Sequence, residues 1–185
     1  MMTDLVRFPD WRADLCALAP GVGVILRDYS HRDRAAIAAA MAQLCKAQSR
    51  VFLVAGDAQL AAQVKAGFHC PSHLLTRQPP QAMSGLRPAT AAVHNRREIF
   101  QAAKSGYRAV LLSPAFPTTS HPDARAWGPV RFLGLAREAA SIGLRVYALG
   151  GINAANWRRL SRGQDVVSGF AAISHFHRQQ GPDGG

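Results

Sequence analysis

Short apolar stretches alternate with amphipathic ones along the whole chain. The stretches at 22–26, 51–55, 89–93, 110–112, 144–149 and 165–170 are brief and largely apolar, a pattern that predicts buried strands. Between them, apolar residues recur at helical spacing. Trp11, Leu15 and Leu18 mark a helix over 11–18, and Ile37, Met41, Leu44 and Cys45 mark one face of an alanine-rich helix over 33–48. Further helices are predicted at 58–66, 96–105, 129–141 and 154–160. The punctuation agrees with these bounds. Pro20-Gly21 stops the first helix, Asp57 is placed to N-cap the third, Gly106 follows the helix at 96–105, and Pro129 opens its helix, with Gly143 after the end. Residues 67–69 read as a short strand at most, 70–87 as turn-rich, and 171–176 as a helical turn.

Strands that alternate with helices at this spacing predict a parallel sheet with both faces covered. Counting residues 1–3 as a strand remnant and 67–69 as a strand gives eight strands. The expected architecture is therefore a minimal (β/α)8 TIM barrel with its first strand truncated, a single domain spanning 1–185. An open doubly wound sheet is the alternative, against which no glycine fingerprint follows the first clear strand.

Composition narrows the functional classes. Hydrophobic residues make up 48% and charged residues 18% of the 185 residues, a globular balance. No apolar run is long enough for a membrane span, and no basic-then-apolar leader opens the chain, so the expected location is the cytoplasm. The net charge of +11 is mostly arginine, spread along the chain in runs no longer than Arg96-Arg97 and Arg158-Arg159. Without a zinc-finger, RRM or homeodomain pattern, this favours phosphorylated small molecules over nucleic acid as partners. Cys16, Cys45 and Cys70 have neither the number nor the spacing of a disulfide framework or a zinc site. A homo-oligomer is left open.

In a barrel, polar residues at the carboxyl ends of the strands share one face. Here these are Arg27 and Tyr29, Asp57, His69, His94, then Ser113, Thr118, Thr119, Ser120 and His121, then Gly150 and Gly151, and finally Ala171 and Ala172. The stretch from Val110 to Pro122 is the most distinctive. An apolar run stops at Ser113-Pro114, and Pro117 and Pro122 stiffen a loop carrying hydroxyls and an imidazole. Such a loop can grip an anion, or it can be a rigid connection whose hydroxyls satisfy their own turn. Gly150-Gly151 together with a small-residue helix start at Ala171-Ala172 suggests a phosphate cradle built of backbone N–H groups; a plain strand-to-loop bend is the simpler reading. Arg27 can take a phosphate bidentately, and Asp57 can share Mg²⁺ with substrate phosphates, although a surface arginine and a helix cap would account for both. No Ser-His-Asp order, GxSxG or pair of carboxylates is present, and the histidines lack metal-ligand spacing.

Ser113-Pro-Ala-Phe-Pro-Thr-Thr-Ser-His-Pro and Ala148-Leu-Gly-Gly-Ile resemble the thiamine phosphate synthases and their sister thiazole tautomerases. The likeness runs over 22–176 and includes the closing Gly163-Gln-Asp-Val-Val-Ser-Gly-Phe-Ala-Ala-Ile. It implies a (β/α)8 barrel and a Mg²⁺-assisted reaction that joins hydroxymethylpyrimidine diphosphate to thiazole phosphate and releases pyrophosphate. In that reaction the pyrimidine departs as a ring-stabilised cation. On the thiazole side, the resemblance assigns Thr118 and Ser120, with Thr119 between them, to the substrate. It assigns Gly150, Gly151 and the backbone at Phe170 and Ala171 to the thiazole phosphate.

The diphosphate side departs from the family. Gln-x-Arg-x-Lys becomes Ile25-Leu-Arg27-Asp-Tyr29, Asn-Asp becomes Gly56-Asp57, the second metal carboxylate falls near Leu74, and the serine before His94 is Ala92. The lysine after the hydroxyl pair is His121, which carries only part of a lysine's charge at neutral pH. The candidate catalytic residues are thus His121 and Arg27, with Asp57 as the metal ligand and Mg²⁺ as the cofactor. The expected activity is that of a thiamine phosphate synthase. The alternatives are a non-catalytic relative that binds thiazole phosphate or thiamine phosphate, and a thiazole tautomerase in which His121 or His94 moves a proton. The family opens with a strand ending in Thr-Asp, of which only the end survives at Met2-Thr3-Asp4. Either the chain starts upstream or the barrel closes imperfectly.

Overall fold

A computed structural model describes residues 1–77, 85–86, 88–117, 126–161 and 166–173. Seven strands form one all-parallel sheet in sequential order: β1 (Val24–Leu26), β2 (Phe52–Ala55), β3 (Gly67–Cys70), β4 (Ala89–Val93), β5 (Ala109–Leu112), β6 (Arg145–Ala148) and β7 (Gly169–Phe170). The helices are α1 (Trp11–Ala17), α2 (Arg34–Ala47), α3 (Ala58–Gln63), α4 (Arg96–Lys104), α5 (Gly128–Ser141) and α6 (Ala154–Ser161). This is a curled α/β sheet of TIM-barrel type, and among the described residues the strand order is sequential rather than doubly wound.

The residues explain the layers. Alternate strand positions face opposite sides. Val24, Leu26, Val54, Phe68, Val93, Val110, Leu112 and Val146 pack with helix residues such as Met41, Ile99, Phe132 and Ala136 into the main core. Ile25, Leu53, Ala55, Leu111 and Ala171 belong to a second cluster with Met2, against which Tyr147 and Leu149 pack. His69 lies in register between Ala55 and Thr90. The capping chemistry read from the sequence is in place. The Asp57 carboxylate accepts from Leu60 N–H (2.9 Å), and Gly106 has φ +81° after α4. A cap not read from the sequence starts α4: the Asn95 side chain accepts from Glu98 N–H (2.9 Å), and Glu98 accepts from the N–H of His94, the residue before the cap (2.7 Å).

Both doubtful strands of the sequence take part in the sheet. The short strand expected at 67–69 is β3, buried and paired on both sides. At the start of the chain a single bridge stands where a truncated first strand was expected. Met2 bridges Ile25 in parallel register, Ile25 N–H donates to the Met1 carbonyl (2.9 Å) and Thr3 N–H to the Ile25 carbonyl (3.0 Å). On its other side, Met2 N–H donates to the Ala172 carbonyl (3.0 Å). Thr3 accepts from Arg27 N–H (2.9 Å) and donates to Asp28, and Leu5 N–H donates to Asp28 (2.7 Å).

Candidate functional site

The sequential parallel order brings the carboxyl ends of all seven strands to one edge. At that edge the loop after β5 and the loop after β6 are laced together. Ala115 N–H donates to the Leu149 carbonyl (2.9 Å) and Phe116 N–H to the Gly150 carbonyl (3.1 Å). Trp127 and Gly128 N–H groups donate back to the carbonyls of Pro114 and Ala115, which ties in the start of α5. Arg159 of α6 lies over the Phe116 ring at 5.8 Å.

Gly150 and Gly151 both have positive φ, +91° and +63°. The reason for glycine differs from the one expected. A Cβ on Gly151 would stand 2.2 Å from the Pro117 carbonyl oxygen and 2.8 Å from that of Phe116. The approach that excludes a side chain is that of the neighbouring loop. The resulting turn nevertheless has the chemistry of an anion cradle. Among the described residues, the N–H groups of Gly150, Gly151 and Ile152 have no acceptor, and successive N–H groups in such a turn attract anions. Asn156 fixes the turn from α6 by donating to the Gly151 carbonyl (2.7 Å), and Asn153 and Asn156 cap each other's N–H groups at 2.9 Å.

The β7 half of the expected cradle is different. Phe170 lies within the strand, its ring 5.0 Å from that of Trp157. Ala171 is buried and its N–H donates to the Ala148 carbonyl (2.8 Å). Pairing with β6 continues past Phe170, so that N–H is spent in the sheet and no helix starts at Ala171-Ala172. Thr118, Thr119, Ser120 and His121 lie outside the described residues.

On the other side of the edge, each predicted charge has an internal partner. Arg27 Nη2 is 3.5 Å from Asp4 Oδ2. Asp57 caps α3 through Oδ1, and its Oδ2 is 3.5 Å from Arg34 Nη1. Arg34 was not singled out in the sequence. It is held by donation from Nη2 to the Ala55 carbonyl (2.6 Å), with its guanidinium carbon 5.9 Å from the Tyr29 ring centre. Tyr29 in turn covers Gly56, where a Cβ would meet its Cε1 at 3.0 Å.

These residues do not fit Mg²⁺. The ion wants several oxygen ligands in near-octahedral array, and the one carboxylate in place already serves a helix cap and a guanidinium. Among the described residues, no cluster of three or more His, Cys, Asp or Glu could hold a metal.

His94 and Ser113 meet at the ends of β4 and β5. The His94 Nδ1 is 3.1 Å from the Ser113 hydroxyl and 3.2 Å from its carbonyl oxygen. His69 lies below this layer, with Nδ1 2.8 Å from the Thr90 hydroxyl. Burial pushes its pKa down to about 4, so it is neutral and takes no part as a charged group. A cavity of about 1160 Å³ opens at the opposite end of the sheet. It is lined by Ile25, Leu53, Thr90, Leu111, Tyr147 and Gly169 and opens beside Arg108 and Arg145. It reaches up to Trp157, Phe170 and Ala171.

An all-parallel sheet in sequential order, with a glycine turn and paired charges at its carboxyl edge, is an α/β fold of TIM type. The particular family is equally plain. The thiamine monophosphate synthase family model matches residues 14–176, and the chain belongs to that family. It is 32% identical over 145 residues to the thiamine-phosphate synthase of Geobacillus kaustophilus, covering 77% of this chain and 65% of that protein. It is 29% identical over 147 residues to the thiamine-phosphate synthase of Geobacillus thermodenitrificans, with coverages of 77% and 65%. The chain thus spans just under two thirds of the length of these relatives. Among solved structures, thiamine phosphate pyrophosphorylase from Pyrococcus furiosus superposes with a TM-score of 0.71 at 26% identity, covering 94% of this chain and 83% of that one.

Proposed function

We propose that this chain is a thiamine phosphate synthase: it joins hydroxymethylpyrimidine diphosphate to thiazole phosphate and releases pyrophosphate. The observation that carries the reading is the family match over 14–176 together with the uncommitted N–H groups at Gly150, Gly151 and Ile152. In the reaction the bond from the pyrimidine methylene carbon to the diphosphate oxygen breaks, and the thiazole nitrogen forms a bond to that carbon. The protein supplies positioning and charge neutralisation, and no protein nucleophile is required.

The Gly150–Ile152 turn holds the thiazole phosphate, Thr118 and Ser120 serve the thiazole ring, and Arg27 and His121 serve the departing diphosphate. Phe170 closes the apolar side next to Trp157. The sheet completes a closed eight-stranded barrel with residues 1–3 as the eighth member, a reading supported by the hydrogen bonds of Met2 to both neighbours.

A second reading is a relative that keeps the thiazole phosphate half alone. The internal pairing of Arg27 with Asp4 and of Arg34 with Asp57 favours it. Titration calorimetry with each substrate separates the two. A synthase binds both thiazole phosphate and the pyrimidine diphosphate, whereas the second reading predicts heat with thiazole phosphate alone. Absence of binding by either ligand contradicts both.

A further inference from the structure

We propose that Arg34 does the work of the divalent metal ion at Asp57, so that this chain binds the diphosphate group without Mg²⁺. The proposal rests on the synthase reading of the strand-end face and concerns how that face manages charge. Three observations meet at one point. Asp57 stands at the end of β2, where the resemblance places a metal carboxylate, but both of its oxygens are used: Oδ1 by Leu60 N–H at 2.9 Å and Oδ2 by Arg34 Nη1 at 3.5 Å. The partner carboxylate is absent, since its position falls near Leu74, an apolar residue packed against the core. The guanidinium is a fixture, with its side chain only 11% exposed, Nη2 anchored on the Ala55 carbonyl at 2.6 Å and Tyr29 alongside.

A guanidinium remains charged at every accessible pH and sits flat against carboxylate or phosphate oxygens. It therefore neutralises Asp57 permanently and opposes entry of a divalent cation at the same oxygen. Its Nε–H is buried and has no acceptor among the described residues, the one such side-chain atom there. Arg27 supplies the second guanidinium at the neighbouring strand end. The Arg34–Asp57 pair is thus neutral without a metal ion, and a diphosphate meets no uncompensated carboxylate at the end of β2.

The test measures binding, with inorganic pyrophosphate as probe and Mn²⁺ as a spectroscopic reporter for Mg²⁺. Calorimetry gives the pyrophosphate Kd with Mg²⁺ and with a chelator, and electron paramagnetic resonance gives Mn²⁺ uptake. The expected result is the same Kd under both conditions and no Mn²⁺ uptake. Arg34→Gln should bind pyrophosphate about tenfold to a hundredfold more weakly, the size of one charge-assisted hydrogen bond. Arg34→Lys should recover part of that loss, and circular dichroism checks that both variants are folded. A double variant, Arg34→Gln with Leu74→Asp, should take up Mn²⁺. Pyrophosphate binding that requires Mg²⁺, or Mn²⁺ uptake by the parent protein that disappears in Asp57→Asn, overturns the proposal and leaves the synthase reading standing. Absence of pyrophosphate binding under both conditions overturns the proposal and the synthase reading together.

Discussion

The carbonyl oxygen of Pro117 occupies the place where a Cβ on Gly151 would have to go, 2.2 Å away. Two strand-end loops are thereby interlocked, and the glycine is dictated by that contact before any ligand arrives. Gly151→Ala should therefore lose stability by at least about 2 kcal/mol, from left-handed backbone strain plus the steric clash. Thermal or urea unfolding measures it. A variant as stable as the parent would show that the loops are free to separate.

The joint at Thr3 is a second structural hinge of the site. Its hydroxyl accepts from Arg27 N–H and donates to Asp28, tying the first residues to the end of β1. Thr3→Val keeps the shape and removes both bonds. The expected cost is about 1–3 kcal/mol, because Arg27 N–H and Asp28 are left short of partners. Amide exchange at Ile25, whose N–H donates to the Met1 carbonyl, should accelerate with it. Unchanged exchange would mean that the backbone bonds hold the segment without the Thr3 hydroxyl.

Much of the fold was legible because periodicity and punctuation agree. The helices and strands fall where the apolar spacing puts them, and Asp57 and Gly106 act as local start and stop signals. β3 was underrated because a Gly-Phe-His-Cys run has little intrinsic strand character, and it is the pairing with β2 and β4 that makes it a strand. The connections at the strand ends were less legible. Arg34 reads as an ordinary first-turn helix residue, and only the fold shows that it reaches Asp57 from another βα unit. Likewise, local sequence gives no sign that Ala171 N–H is consumed by Ala148, since that depends on where the β6–β7 ladder ends.

Burial of His69 carries a pH signature. Its pKa is about 4 in the folded protein against an ordinary 6.5, so between these values the unfolded chain binds a proton that the native state refuses. Its contribution to stability is complete above pH 6.5 and is lost as pH falls toward 4. The loss is about 3 kcal/mol from the shift alone. His69→Gln removes this term, so stability of the parent should fall more steeply than that of the variant between pH 6.5 and 4. Parallel stability curves in denaturant titrations would place the histidine in a more solvated setting.

Thr118 and Ser120 are the hydroxyls proposed to orient the thiazole. Thr118→Ala and Ser120→Ala should each raise the Kd for thiazole phosphate by up to about tenfold, the value of a neutral hydrogen bond to a bound ligand. Stability should change little. Titration calorimetry reads the affinity, and an unchanged Kd in both variants would remove this loop from the thiazole site.

The most direct measurement supplies hydroxymethylpyrimidine diphosphate and thiazole phosphate to the protein at substrate-level concentration and follows both products. Thiamine phosphate and pyrophosphate should form in equal amounts, and neither should form when thiazole phosphate is left out. A mixture that yields no thiamine phosphate, while thiazole phosphate still binds, would contradict the synthase assignment.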